Sequence, residues 1–276
     1  MAVLVMSLQP PIVTGHDDVH KQIFEITLEI DAAPTDAMLF LRRGELYQLD
    51  EHWDEALSDF EQAAKLDPTL DDPHLSRAQV LLKLDQLQEA LSSIDRFLLA
   101  RTDHTTGHWV KARILARLGW NDDAAEEYTK TLAVLKPMER PSPDLYLERA
   151  HALAKEGRIV DAVRGLDEGI GRLGPLVQME LLAIELERAH QRMDSALARV
   201  DRIAQQSKRK ETWLYMRGEI LNEAGRLEDA RQAFSQALVA IKTLPARLQG
   251  TRGMRELEER VQGALSPEEE VDRKSP

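Results

Sequence analysis

Alanine recurs at Ala56, Ala90 and Ala124, each 34 residues after the last. One step of 38 leads to Ala162, and two further steps of 34 reach Ala196 and Ala230. A period of this length marks one supersecondary unit repeated along the chain, in which each unit covers the apolar face its neighbour cannot bury alone. The unit is best formed in FLRRGELYQLDEHWDEALSDFEQAAKLDP (Phe40 to Pro68), which sets Gly44, Tyr47, Phe60, Ala63 and Pro68 at fixed offsets from Ala56. The period divides the chain into six units: 36–69, 70–103, 104–137, 142–175, 176–208 and 211–245. A four-residue insertion, Met138–Pro141, accounts for the longer step. The first helix of the fifth unit departs from the pattern, with Ile184 and Glu187 where a small and a bulky residue are expected.

Each unit predicts two helices of about 14 residues, alternately presenting apolar and wet faces. The chain is 43% hydrophobic and 30% charged but only 5% aromatic, and this balance suits amphipathic helices, so the expected class is all-α. Gly119, Gly157 and Gly225, or polar pairs such as Asp50-Glu51 and Asp85-Gln86, mark the turn within a unit. Pro68, Pro137, Pro175 and Pro245 mark the second helix's end, where the chain must leave helical geometry. Opposed small side chains let paired helices approach closely: Gly44 or Ala78 on the first helix, Ala56 or Ala90 on the second. Residues 16–265 are thus expected to form one solenoid domain.

The ends read differently. Met1–Gly15 holds a short apolar run, Ala2–Leu8, with no Lys or Arg before it, and small residues at Val13 and Gly15. It reads either as a remnant of a signal peptide or as a disordered arm, which leaves export and the cytoplasm both open. A helix over 16–34 is expected to cover the first unit, and one over 243–265, breaking near Thr251, to cover the last. The polar segment 266–276 is expected to be disordered.

This pattern resembles the tetratricopeptide repeat: Gly or Ala and then Tyr or Leu in the first helix, and Ala, a bulky residue, Ala and Pro in the second. The resemblance spans about Val19 to Pro245. It implies a right-handed superhelix whose first helices line a concave groove. It also implies that groove-facing positions include Leu75, Gln79, Lys83, Trp109, Arg113, Arg117, Leu147, His151, Lys155 and Tyr215. Their make-up, a basic and partly aromatic centre with an acidic C-terminal end, suits an extended peptide or protein segment carrying acidic residues. A merely solvated helix face is the competing reading. The two-lysine, two-asparagine clamp by which some members of the family grip a terminal carboxylate is not visible. One departure is systematic: Arg43, Arg77, Lys111, Arg149 and Arg217 stand where the family usually has leucine. They are expected to be structural, each stem packed and each head on a carboxylate such as Asp59.

Chemistry is otherwise sparse. The run Gly169–Gly174 matches GxGxxG but ends a helix, whereas a dinucleotide fingerprint opens one after a strand. His16 and His20 share a helix face at i, i+4 and define a candidate metal site, the basis of an alternative reading as an exported metal-binding protein. His104 and His108 repeat that spacing by chance. No cysteine is present, which excludes disulfides, zinc–thiolate sites and thiol nucleophiles. No catalytic constellation or cofactor motif is evident, so a non-enzymatic scaffold is expected, with an accessory subunit of a separately encoded enzyme as a further alternative. A net charge of −12 speaks against nucleic acid as a partner, and no apolar run approaches the roughly 18–20 residues needed to insert in a membrane. Oligomeric state is left open.

Overall fold

The computed structural model describes residues 15–136 and 139–266, with side chains from residue 18 onward. Met1–Thr14, Pro137, Met138 and 267–276 lie outside the described residues, and with them most of the segment read as a signal-peptide remnant or arm, the proline expected to end the third unit and almost all of the tail. The chain forms two compact units divided between Pro141 and Ser142. Among the described residues every regular element is a helix.

The first unit contains α1 (Gly15–Ala32), α2 (Ala37–Leu49), α3 (Trp53–Leu66), α4 (Asp72–Lys83), α5 (Leu87–Ala100), α6 (Thr105–Leu118) and α7 (Asn121–Val134). Each helix packs on the next up to α7, and α2 touches α4 as α4 touches α6. The starts are written locally. The Asp36 carboxylate accepts from the Met38 backbone N–H at 2.9 Å, and His104 Nδ1 accepts from the Gly107 N–H at 3.1 Å. Asp54 and Glu55 in α3, and Asp122 and Asp123 in α7, place negative charge at the positive helix end.

The second unit contains α8 (Pro143–Lys155), α9 (Ile159–Leu173), α10 (Val177–Ala189), α11 (Met193–Gln206), α12 (Glu211–Glu223), α13 (Leu227–Lys242), the short α14 (Ala246–Gln249) and α15 (Arg252–Leu265). Again successive helices from α8 to α13 pack pairwise, and α15 closes on α13.

The six period-marking alanines are all at most 2% exposed, so the repeat seen in the sequence is the repeat of the cores. Glycine serves the same contact at both ends of the array. A Cβ on Gly44 would stand 2.6 Å from the Phe60 ring, and one on Gly218 would strike Phe234, so helix and aromatic ring meet only because the side chain is missing.

The turn inside each pair also repeats. Glu51, Asp85, Gly119, Gly157, Gln191 and Gly225 follow the same steps as the alanines, and all six have φ between 58° and 82°. Glycine adopts this left-handed geometry freely, whereas Glu51, Asp85 and Gln191 do so at a cost of roughly 1–2 kcal/mol each.

Helices α1 and α15 bury apolar residues against the first and last repeats. Ile26 and Ile30 of α1 are buried with Leu39 of α2. Met254, Leu257 and Val261 of α15 join the core of Phe234, Ala237 and Ile241. The expected break is real: Thr251 is extended (φ −69°, ψ 146°), and the Gln249 side-chain amide donates to the Lys242 and Leu244 carbonyls at 2.9 and 2.6 Å, folding the chain between α13 and α15.

Candidate interaction surface

In the first unit, Trp109, Arg113 and Arg117 lie within 80° of one another around α6, by the 100° turn per residue of an α-helix. Lys111 and Leu115 fall on the opposite side of the same helix. Leu75 and Trp109 are half-buried, while Lys83, Arg113 and Arg117 are exposed. Gln79 is reached by the Gln48 amide of α2 at 3.4 Å. Arg117 reaches back to Asp85 beyond the end of α4 at 2.8 Å. The neighbouring first helices α4 and α6 thus carry apolar and basic groups, and α2 adds the Gln48 amide.

The second unit places Leu147 half-buried, with His151 and Lys155 exposed, on α8. Tyr215, a groove-facing position by the resemblance, is only 9% exposed. Its ring packs on Phe234 at 5.5 Å, and Arg260 of α15 lies over it at 4.6 Å. Burial and the nearby Glu219 push the phenol above its ordinary range. The capping helix covers the ring there. The acidic groups alongside are also engaged: Glu219 holds Arg260 at 3.2 Å, and Glu223 is paired with Arg188 across α10 and α12.

The recurring cations are structural, as expected. The Arg43 guanidinium grips both oxygens of Asp59 at 2.7 and 2.8 Å and touches Thr27 of the capping helix at 3.1 Å. The Asp59 hydrogen bond raises its pKa further, against the opposing effect of burial. Arg77 donates to Ser93 at 2.5 Å, Lys111 lies 2.8 Å from Asp95, Arg149 is 2.6 Å from Glu168, and Arg217 is 2.9 Å from Asp201.

The fifth repeat explains its own irregularity in a way the sequence did not reveal. Ala183 stands where the other repeats carry a cation, and Arg199 stands where Asp59 does. Arg199 is 5% exposed and is held by Asp167 of α9 at 2.8 Å, Glu180 of α10 at 2.9 Å and Glu187 of α10 at 3.4 Å. Burial works against its charge, but hydrogen bonds to the three carboxylates outweigh that and raise its pKa. Glu187 occupies the bulky-residue position because it is a ligand of this arginine.

The histidines resolve separately. The side chain of His16 lies outside the described residues. His20 faces Asp50 at 3.5 Å, and His52 approaches the same carboxylate oxygen at 3.4 Å. Among the described residues no group of three or more His, Cys, Asp or Glu could hold a metal ion. His104 caps α6, and the two ring nitrogens of His108 meet Glu127 and the Thr102 carbonyl, each at 2.7 Å. His74 is a buried histidine that sequence reasoning passed over. Among the described residues its Nε2 has no hydrogen-bond partner, and burial, aided by Arg96 and Arg77 and opposed by Asp71, holds its pKa below the ordinary histidine range.

These features define an all-helical repeat protein. Family models described as tetratricopeptide repeat match residues 37–70, 75–137 and 181–245, and the chain belongs to the tetratricopeptide repeat family. The α8–α9 pair falls between the matched segments. No curated protein matches the chain. Among solved structures, a tetratricopeptide repeat protein from Parabacteroides merdae is similar, with a TM-score of 0.55 and 16% identity over 90% of this chain and 93% of that one. PilW, a widely conserved type IV pilus biogenesis factor, gives 0.55 and 20% identity over 72% and 92%. YrrB, described as a tetratricopeptide repeat protein with an unusual peptide-binding site, gives 0.50 and 16% over 74% and 97%. These likenesses concern the fold. Proteins of the family are generally non-catalytic scaffolds for protein–protein interaction. No described helix is long and apolar enough to cross a membrane.

Proposed function

We propose that this chain is a non-enzymatic docking scaffold, and that the first-helix surface of its N-terminal unit takes an extended protein segment carrying acidic residues. The observation that carries the reading is the grouping of Lys83, Arg113 and Arg117 around half-buried Leu75 and Trp109 on the adjoining helices α4 and α6. Leu75 and Trp109 would supply desolvated anchors, and the cations would steer approach and fix register. Leu147, His151 and Lys155 offer a similar but smaller set on the second unit. The peptide-binding site named for YrrB is in keeping with such a use of the fold.

The test is titration of the full chain with an amidated peptide alternating leucine with glutamate, followed by tryptophan fluorescence. Binding is expected to weaken steeply between low and physiological salt, because screening shortens the reach of exposed charges. It is expected to be lost in the Lys83→Glu, Arg113→Glu double variant. Equal affinity of that variant and the parent, or salt-independent binding, overturns the assignment of the site.

A further inference from the structure

On the side of α6 away from Trp109 and Arg113, the first unit has a crevice of about 250 Å³ between α5 and α7. Leu91, Leu115 and the indole of Trp120 give it apolar surface. Trp120 opens α7 and remains 47% exposed, an unusual position for so large a ring when α7 itself is well packed. Four carboxylates line the crevice, from Asp95, Asp123, Glu126 and Glu127, against only two ammonium groups, Lys111 and Lys130. Internal pairing uses both cations: Lys111 lies 2.8 Å from Asp95, and Lys130 sits 2.9 Å from Glu127 and 3.1 Å from Glu126. Asp123, on the first turn of α7, has no ion pair among the described residues.

We infer that this crevice is a second docking site, and that its occupant is a lysine or arginine side chain on an exposed segment of a partner protein. An indole face attracts a cation, leucine and indole surface takes the methylene stem, and the excess of carboxylates supplies the counter-charge. These three requirements converge on a long cationic side chain and disfavour an anion or a purely apolar one.

The second unit contains its own control. Three repeat steps later, 106 residues along, a crevice of similar build lies between α11 and α13. There Arg217 replaces Lys111, Gln232 replaces Glu126 and Gln236 replaces Lys130, while Arg226 stands in the place of Trp120. With Lys210 and Arg217 facing Asp201, that crevice has lost both the indole and the negative excess. The repeat makes the crevice, and the side chains of α7 make it selective for a cation.

The experiment follows the four indole N–H resonances of the full chain labelled at tryptophan, with Trp120 assigned by Trp120→Phe. The probe is an acetylated, amidated peptide of alternating alanine with lysine and arginine, with a glutamate-bearing twin as comparison. The basic peptide is expected to shift the Trp120 resonance saturably and the acidic twin to leave it still. Trp120→Ala and Asp123→Lys are each expected to weaken the basic peptide at least tenfold, measured calorimetrically. Lys83→Glu with Arg113→Glu is expected to leave that binding in place, which separates this site from the one on the opposite side of α6. The inference is overturned if the basic peptide moves Trp109 instead of Trp120, if neither peptide binds, or if the Trp120 and Asp123 variants bind as the parent does.

Discussion

The first and fifth repeats solve one packing problem with opposite polarity. In the first, a cation on the first helix, Arg43, meets a carboxylate on the second, Asp59. In the fifth, the second helix supplies the cation, Arg199, and the carboxylates come from the first helix and from the helix before it. The first arrangement is one arginine to one aspartate at the rim of the core. The second encloses one guanidinium among three carboxylates, with Arg202 3.8 Å from Glu180 relieving part of the excess. The difference teaches that the repeat constrains where an ion pair is buried between helices, not which helix carries which sign. It also predicts unequal consequences when the pair is broken, because a more enclosed charge leaves more behind unpaired.

The largest effect is expected for Arg199→Leu. It strands Glu180 and Glu187 in a buried setting and should cost about 3–5 kcal/mol, the range for breaking a buried pair on one side. Arg43→Leu strands one buried carboxylate, Asp59, where Arg199→Leu strands two, and should cost about 2–3 kcal/mol. Hydrogen exchange of α10 and α11 amides in the first variant, and of α2 and α3 amides in the second, reads the two losses separately. Equal protection losses would abolish the contrast. Ala162→Leu tests what the repeats share. Ala162 is fully buried at the common close approach, so overpacking should cost about 1–3 kcal/mol, seen as a lowered urea midpoint. A smaller gain is expected from Glu51→Gly. It relieves a left-handed residue at a position where Gly119 and Gly225 already stand, with a net stabilisation of roughly 0.5–1 kcal/mol after glycine's entropy is counted. No change in the thermal midpoint would mean that Glu51 bears no strain.

The last prediction is a slope rather than a step. His74 is buried with its pKa lowered below the unfolded value of 6.5, so in the window just under 6.5 the unfolded chain binds the extra proton and the folded chain does not. Stability from this group is therefore complete above that value and declines as pH falls through it, levelling off below the folded pKa. His74→Phe should flatten the pH dependence of the first unit's urea midpoint between about pH 7.5 and 5. An unchanged slope would show that His74 is not responsible.

Much of the scaffold was legible because it is periodic. The alanine spacing gave the helix pairs, the two glycines near Thr251 gave the break before α15, and Arg43 was expected to meet Asp59. What was missed is what breaks the period. Asp167, Glu180 and Glu187 look like solvated acids in a chain with 48 acidic residues, and only their convergence on Arg199 gives them a role. The one signal available was that Glu187 sat in a bulky-residue position. Tyr215 fits the groove pattern of its helix, but its burial depends on the register of α15, which carries no repeat signature. The turns hid a further regularity, since nothing in the residue types of Glu51, Asp85 and Gln191 announces the geometry that they share with three glycines.

The closing helix has one more consequence. Its inward stripe of Met254, Leu257 and Val261 satisfies the last repeat, while Arg255, Glu256, Glu258 and Glu259 turn charge outward. A stack of this kind could in principle add like units at its open end, as a polymer adds monomers. Here α15 covers the apolar face of the last repeat from within the chain, so that face is not left open for another unit.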